Sequence, residues 1–265
     1  MDTENNTNND KVIGVGKIKK QQQILKSSYF DDGSSASKST FLEIGVDEAG
    51  RGPMFGRVYV SAVVLPRDSA QFDFSKMKDS KKFHSEKKIK EVAEYIKTNA
   101  VSWSVKFAEH TAIDELNIRR ATIQTMHEAI RHVCNDIQSQ GKNKYGEDYY
   151  LLIDGNDFIP MLHPHPHAHP HPQSQSHDSK QSMHLHYSTI EGGDNTYASI
   201  AAASILAKVS RDEYIMEMCK EHPDLQEKYD LENNKGYGTK KHMDGIKEHG
   251  ISKWHRKSFG ICKNY

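Results

Sequence analysis

The chain has 265 residues, 35% of them hydrophobic, which is enough for one substantial core and too little for an elaborate multidomain machine. Its 36 Lys and Arg balance 36 Asp and Glu, so no global field draws it to an anionic partner, and such a partner must be met by a local basic surface. Three scattered cysteines exclude a disulfide framework or a paired-cysteine zinc site, the opening "MDTENNTNND" lacks the features of a signal peptide, and no window suits a membrane span; a cytoplasmic protein is expected.

Residues 1–40 are rich in Asn, Gln, Lys and Ser without a sustained apolar period, which predicts a largely disordered tail with a short helix near Ile18 to Leu25. From residue 41 the texture changes. "FLEIGVDEA" and "VYVSAVVLP" are β-branched runs separated by a Gly/Pro turn and read as a strand pair. "SEKKIKEVAEYIKTN" opens on Ser85 as N-cap and sets Ile89, Val92, Ala93 and Ile96 on one helical face. "VSWSVKFAE" is a third strand, and one long helix is predicted from Ile113 to about Ile137. "YYLLIDGN" then reads as a short buried strand ending in an acid and a turn.

The stretch at about 163–183 is low-complexity His/Pro sequence whose prolines neither continue a helix nor donate to a sheet, and it reads as a surface insertion. Its regular His-Pro alternation lacks a defined metal-ligand geometry. After "YSTIEGGD" comes the strongest helical run, "TYASIAAASILAKVSRDEYIMEMCKEH", small-residue rich in its first half so that it can lie close against a sheet. "TKKHMDGIKEHG" follows as a further helix. Between Lys235 and Lys263 eight Lys/Arg stand against Asp244 and Glu248 only, so the region at about 220–265 is the candidate basic surface. The order of strands and helices predicts an α/β domain over 41–265, a mixed sheet flanked by helices. No exposed apolar stripe is apparent, and a monomer is expected.

Asp47 and Glu48 would ordinarily face opposite sides of a strand, and they can share a site only if the strand ends there. "AGRGP" supplies that end, since Gly50 and Gly52 permit backbone conformations closed to other residues and Pro53 stops the ladder. Asp154 in "IDGN" and Asp194 in "EGGDN" occupy similar element ends. Four such acids suit hard divalent cations, which take oxygen ligands and keep positions open for water and phosphate. Each acid beside a glycine is equally a turn former, and Asp194 is equally a helix cap.

Taken in order, "GVDEAGRGP", "DSKKF", "IDGN", "EGGD", "AAASILAKVSRD", "KGYGT" and "HRKSFG" resemble the type 2 ribonucleases H, specifically the ribonuclease HII family, over about 41–261 without the His/Pro insertion. The resemblance implies a ribonuclease H-like fold with a helical C-terminal extension. It implies that Asp47, Glu48, Asp154 and Asp194 bind two Mg²⁺ or Mn²⁺ ions and are the catalytic residues. Asp212, a rival for the fourth place, is set aside because it falls about 27 Å along the helix begun near Asp194 and the family uses the "GD" acid. An ion pair with a neighbouring helix is its expected role.

The implied reaction is two-metal hydrolysis of the RNA strand of RNA/DNA hybrids and of the bond 5′ to a ribonucleotide embedded in duplex DNA. It leaves 3′-hydroxyl and 5′-phosphate ends and serves ribonucleotide excision and RNA primer removal. Selectivity requires a detector of the 2′-hydroxyl. By resemblance, the backbone of Gly50, Arg51 and Gly52 and the hydroxyl of Tyr237 form it, with Lys81, Ser204 and Lys208 as phosphate contacts; Tyr237 is equally readable as a packing residue. Arg57 departs from the proline usual in the family, and the insertion lengthens a link that is usually short. The HIII branch usually carries Lys where this chain has Arg51, and a binding protein without activity would not need all four acids.

Overall fold

The computed structural model describes residues 24–30, 41–141, 148–164 and 182–265. Strands β1 (Leu42–Ala49) and β2 (Val58–Val64) pair antiparallel with Asp47 opposite Ser61, and β3 (Ser102–Ala108) adds to β2 antiparallel. On the other side of β1, β4 (Tyr149–Asp154) and β7 (His186–Ile190) run parallel to it, giving the order β3-β2-β1-β4-β7. The predicted mixed sheet is therefore present, and β1 lies at its centre. Between β4 and β7, β5 (Leu162–Pro164) and β6 (Ser182–His184) form a two-stranded ladder at the ends of the His/Pro stretch, and residues 165–181 lie outside the described residues.

Both faces of the sheet are covered. Ile44 and Val46 pack with Met126, Ile130 and Val133 of α3 (Ile118–Ser139), while Val63 joins Ala198, Ala202 and Ile205 of α4 (Ala198–Glu221), with Ile89, Ala93 and Ile96 of α1 (Glu86–Asn99) behind. Ser85 caps α1 by accepting from the Lys88 N–H, as its sequence position predicts. The small residues of α4 serve their expected purpose. A Cβ on Gly45 would lie 2.2 Å from the Ser199 carbonyl carbon, so only glycine lets the helix backbone lie this close to β1.

The single helix expected from Ile113 to Ile137 is two, α2 (His110–Leu116) and α3. Asn117 breaks the run at φ 69° and ψ 160°, outside the left-handed helical region and strained for any residue with a side chain, and its side chain caps α3 by accepting from the Arg120 N–H. The apolar period runs through the break because both helices cover the same side. Of the 1–40 tail, residues 24–30 are described, and they are packed on the domain. Lys26 exchanges backbone hydrogen bonds of 2.9 Å with Thr196 and Ala198, and the Tyr29 N–H donates to Glu43. The helix expected near Ile18 to Leu25 lies mostly outside the described residues, and Ile24 and Leu25 are not helical.

After α4 the chain forms α5 (Pro223–Tyr229), α6 (Leu231–Asn234) and α7 (Lys240–His249). They bury Leu225, Tyr229, Leu231 and Ile246 against Met54 and Phe55, so this basic segment is fastened to the loop that follows β1. Among the described residues no helix is long and apolar enough to cross a membrane.

Candidate active site

Three of the four acids stand at the C-terminal edge of the central strands. Val46 pairs with Ile153 in the parallel β1/β4 ladder, which sets Asp47 beside Asp154 at the next position. Glu48 follows on β1 where the strand gives way to the GRG turn. Asp194 sits in a single 3-10 turn, Gly193–Asn195, between β7 and α4, and the Gly193 N–H at 2.8 Å from Asp154 Oδ1 ties this turn to the end of β4. The capping alternative for Asp194 does not apply. Tyr197 is the N-cap of α4, and the Asp194 carboxylate accepts from Asn195 Nδ2 at 3.0 Å.

Asp47 is 5% exposed. Burial first, then the negative charges of Glu48 and Asp154, push its carboxyl well above the usual range, against hydrogen bonds from Ser204 and the Glu48 N–H. Burial also raises Glu48 in spite of Arg51, whose Nη1 lies 3.4 Å away. Asp194 is raised by burial, then by Asp79 and Asp154, with Lys81 opposing at 4.0 Å. The Lys81 ammonium, although desolvation works against it, is held above its ordinary value by Asp194, Asp79, Asp47 and Asp154. These are signs of a concentrated negative charge.

The DSK motif builds the cationic wall opposite. Asp79 accepts from the Lys81 N–H at 2.8 Å and so shapes the turn that aims Lys81, while the Ser80 hydroxyl meets that of Ser204 on α4 at 2.9 Å. Lys82 donates to Asn195 beside Asp194. Asp47, Glu48 and Asp154 share a cleft of about 480 Å³ with the GRG turn, Lys81, Ser204, Lys208 and Tyr237.

The donor set fits hard divalent cations: hard oxygens only, desolvated, and each raising its neighbour's affinity for positive charge. The side chains are spread, however. Among the described residues no three His, Cys, Asp or Glu groups stand close enough to hold one ion, because Glu48 is turned to Arg51, Asp194 to Asn195 and Asp154 to the Gly193 amide.

The far end of the cleft is built on two buried arginines. Arg256, fully buried, donates from Nε to the Gly56 carbonyl (2.8 Å), from Nη1 to those of Arg51 (3.1 Å) and Pro53 (2.8 Å), and from Nη2 to that of Gly50 (2.7 Å). One side chain thus engages four carbonyls of the loop from Gly50 to Gly56. Gly50 adopts φ 95°, and a Cβ there would meet Arg211 Nε at 2.2 Å, so the position excludes other residues on two grounds. Across the cleft Tyr237 is 49% exposed, and a Cβ on Gly52 would touch its ring at 3.4 Å. That exposure removes the reading of Tyr237 as a buried packing residue.

All the sequence-predicted residues except Asp194 line this one cleft, and Asp194 stands behind Lys81 and Asp154. Asp212 does too, contrary to the expectation that its distance along α4 removes it. It is paired with Lys208 of its own helix at 2.7 Å instead of with a neighbouring one. Arg211, Arg256, Asp79 and Asn195 were not singled out by sequence reasoning, although the first three lie inside the motifs "SRD", "HRKSFG" and "DSKKF". Arg57 lies outside the cleft, stacked on Phe107 (4.0 Å) and Tyr214 (4.5 Å) and paired with Glu109 (2.7 Å).

The profile of the family described as Ribonuclease HII matches residues 44–262. Proteins of that description from Endomicrobium trichonymphae and Phocaeicola vulgatus are 39% and 38% identical to this chain, over 84% and 83% of it and 87% and 90% of their own lengths. Among solved structures, the fold is similar to that in the PCNA:RNase HII complex from Archaeoglobus fulgidus (TM-score 0.54, 22% identity, 83% of this chain and 96% of that one). It is likewise similar to ribonuclease H2 from Pyrococcus horikoshii (TM-score 0.54, 18% identity, 84% and 95%).

Proposed function

The chain belongs to the ribonuclease HII family and is a nuclease of the ribonuclease H type acting on RNA/DNA hybrids, and from that premise we propose that it also cuts 5′ to single ribonucleotides in duplex DNA, leaving 3′-hydroxyl and 5′-phosphate ends. The observation that carries the proposal is the single cleft in which the acids meet the GRG turn and Tyr237. Asp47, Glu48, Asp154 and Asp194 would hold two Mg²⁺ or Mn²⁺ ions, which when bound neutralise the charge that develops as water attacks and the 3′ oxygen departs.

The remaining work falls to the protein itself. With the carbonyls of residues 50, 51, 53 and 56 turned down to Arg256, the turn can approach a ribose closely beside the acids. The Tyr237 ring, half-exposed and beside Gly52, is positioned for the neighbouring sugar. Lys81 faces the acids as a partner for the scissile phosphate, and Ser204 steadies Asp47. We assign the protein to ribonucleotide excision and primer removal in the cytoplasm, acting as a monomer.

The test is cleavage of a labelled duplex with one ribonucleotide, beside an all-RNA/DNA hybrid and an all-DNA control, with Mg²⁺, Mn²⁺ or EDTA. The expected result is a metal-dependent cut 5′ to the ribonucleotide. Cleavage of the hybrid alone would refute the single-ribonucleotide activity, and activity surviving in EDTA would refute the metal assignment.

A further inference from the structure

Arg211 is a buried cation with an incomplete set of partners. The residue is 2% exposed, its Nη2 donates to the Lys235 carbonyl at 2.6 Å, and its Nε is buried with no hydrogen-bond partner. Among the described residues no carboxylate forms an ion pair with it, since the adjacent Asp212 is taken by Lys208. Leaving a charged donor unpaired in the interior is costly, and such groups persist where the surroundings demand that particular side chain. Stability alone does not explain it.

Its surroundings do. Above the guanidinium lies Gly50, close enough that a Cβ would overlap Nε and Cδ at 2.2 and 2.5 Å. Beside it lies the KGYG turn: a Cβ on Gly236 would stand 3.5 Å from Nη2, and the Tyr237 ring centroid is 5.7 Å from the guanidinium carbon. A rigid plane thus sits between the turn that carries Gly50 and the turn that carries Tyr237, elements 187 positions apart in the sequence numbering. A planar fork can hold both surfaces at a set separation, whereas a lysine offers one point charge on a flexible stem.

We propose that Arg211 is a positioning residue for substrate selection, the spacer that sets the separation of the GRG turn from Tyr237, the two surfaces that a ribose and its 3′ neighbour would meet. This rests on the reading of Tyr237 as part of the sugar sensor. Arg211 does not touch the reacting phosphate in this arrangement. Its loss therefore changes which substrate is cut more than whether the acids can cut at all.

The experiment measures kcat/KM on the single-ribonucleotide duplex and on the RNA/DNA hybrid for wild type, Arg211→Lys, Arg211→Gln, Tyr237→Ala and the Arg211→Lys/Tyr237→Ala double variant. Both substrates are cut by the same preparation, so any unfolded fraction lowers the two rates equally and leaves their ratio unmoved. Arg211→Lys and Arg211→Gln are expected to lower the single-ribonucleotide to hybrid ratio by about 10-fold to 100-fold, the scale of a displacement near 1 Å. The double variant is expected to show the ratio of Tyr237→Ala alone, because the two residues act through one gap. If Tyr237→Ala shifts the ratio and neither Arg211 variant does, the spacer role is overturned while the sensor reading stands. If Tyr237→Ala leaves the ratio unchanged, the sensor reading itself fails, and with it the premise. A double variant whose ratio falls by the product of the single effects would also overturn the proposal, since it would make Arg211 independent of Tyr237.

Discussion

Replacing His255 is expected to remove a specific part of the protein's acid sensitivity. His255 and His242 are both buried, with Nε2 atoms 3.0 Å apart, and their partners define every proton. The Ser252 N–H donates to His255 Nδ1 at 3.0 Å, so the His255 proton is on Nε2 and points at His242 Nε2. His242 must then carry its proton on Nδ1, which donates to the Tyr237 carbonyl at 2.9 Å. A second proton on His255 would have to go to Nδ1, against the Ser252 N–H, and one on His242 to Nε2, against the His255 N–H.

Burial first, and then the neighbouring His242, pull His255 down from 6.5 to about 3. Below pH 6.5 the unfolded chain binds this proton and the folded chain does not, so stability is fully present above that pH and is lost as the pH falls towards 3. At pH 5 the loss from this one group is about 2 kcal/mol, taking 1.36 kcal/mol per pH unit. The raised carboxyls of Asp47, Glu48 and Asp194 act with the opposite sign, because the folded protein takes up their protons first and gains stability as the pH falls. The assay is urea denaturation at pH 7 and pH 5 in EDTA, comparing wild type with His255→Gln. The variant should lose about 2 kcal/mol less between the two pH values, although it starts less stable. Equal losses would show that this imidazole is not the titrating group.

Two further changes separate stability from function. Asp47→Asn removes a desolvated anion held beside Glu48 and Asp154, so it should abolish cleavage while raising the melting temperature in EDTA at pH 8; each kcal/mol corresponds to about 2–4 °C for a domain of this size. An unchanged or lower melting temperature would refute the account of Asp47 as strained by its neighbours. Gly45→Ala would set a methyl 2.2 to 2.5 Å from backbone atoms of Ser199 and Ile200 that no side-chain rotation can clear. It should cost about 3 kcal/mol and reduce activity by pushing α4 off β1; a melting temperature like that of wild type would refute the close approach.

The order of motifs made the family legible, and glycines mark where the strands carrying Asp47, Glu48 and Asp154 end. The strands and α1 were equally plain, from β-branched runs and the Ser85 cap. What stayed hidden depends on contacts distant in the chain. Asn117 was unreadable as a break because the same apolar period serves the helices on both sides of it. The packing of Lys26 depends on Thr196, and residues so polar give no local signal of it. Arg256 looked like one more residue of the basic stretch and Arg211 like a surface charge of a long helix, and only their burial beneath the GRG turn distinguishes them from a solvated lysine.

Asp212 was judged remote by counting helix from Asp194, whereas α4 starts at Ala198, and it lies in the cleft because of how α4 runs beside β1. The two elements touch in step. Gly45 lies against the peptide joining Ser199 and Ile200, the Asp47 carboxylate receives Ser204, and Gly50 rests on Arg211. Two residues of strand advance about 6.6 Å, and the four to five residues of helix from that peptide to Ser204 advance about 6.8 Å. The next three residues of β1 direction cover about 10 Å, and the seven from Ser204 to Arg211 cover about 10.5 Å. A helix and a strand of different rise thus stay matched over the whole site, with small residues holding them close. The acids at one end of the cleft and the GRG turn at the other are thus set along a single helix. One residue inserted between Ser204 and Arg211 would rotate the guanidinium by about 100° away from Gly50, leaving the acids in place and uncoupling the turn beside them.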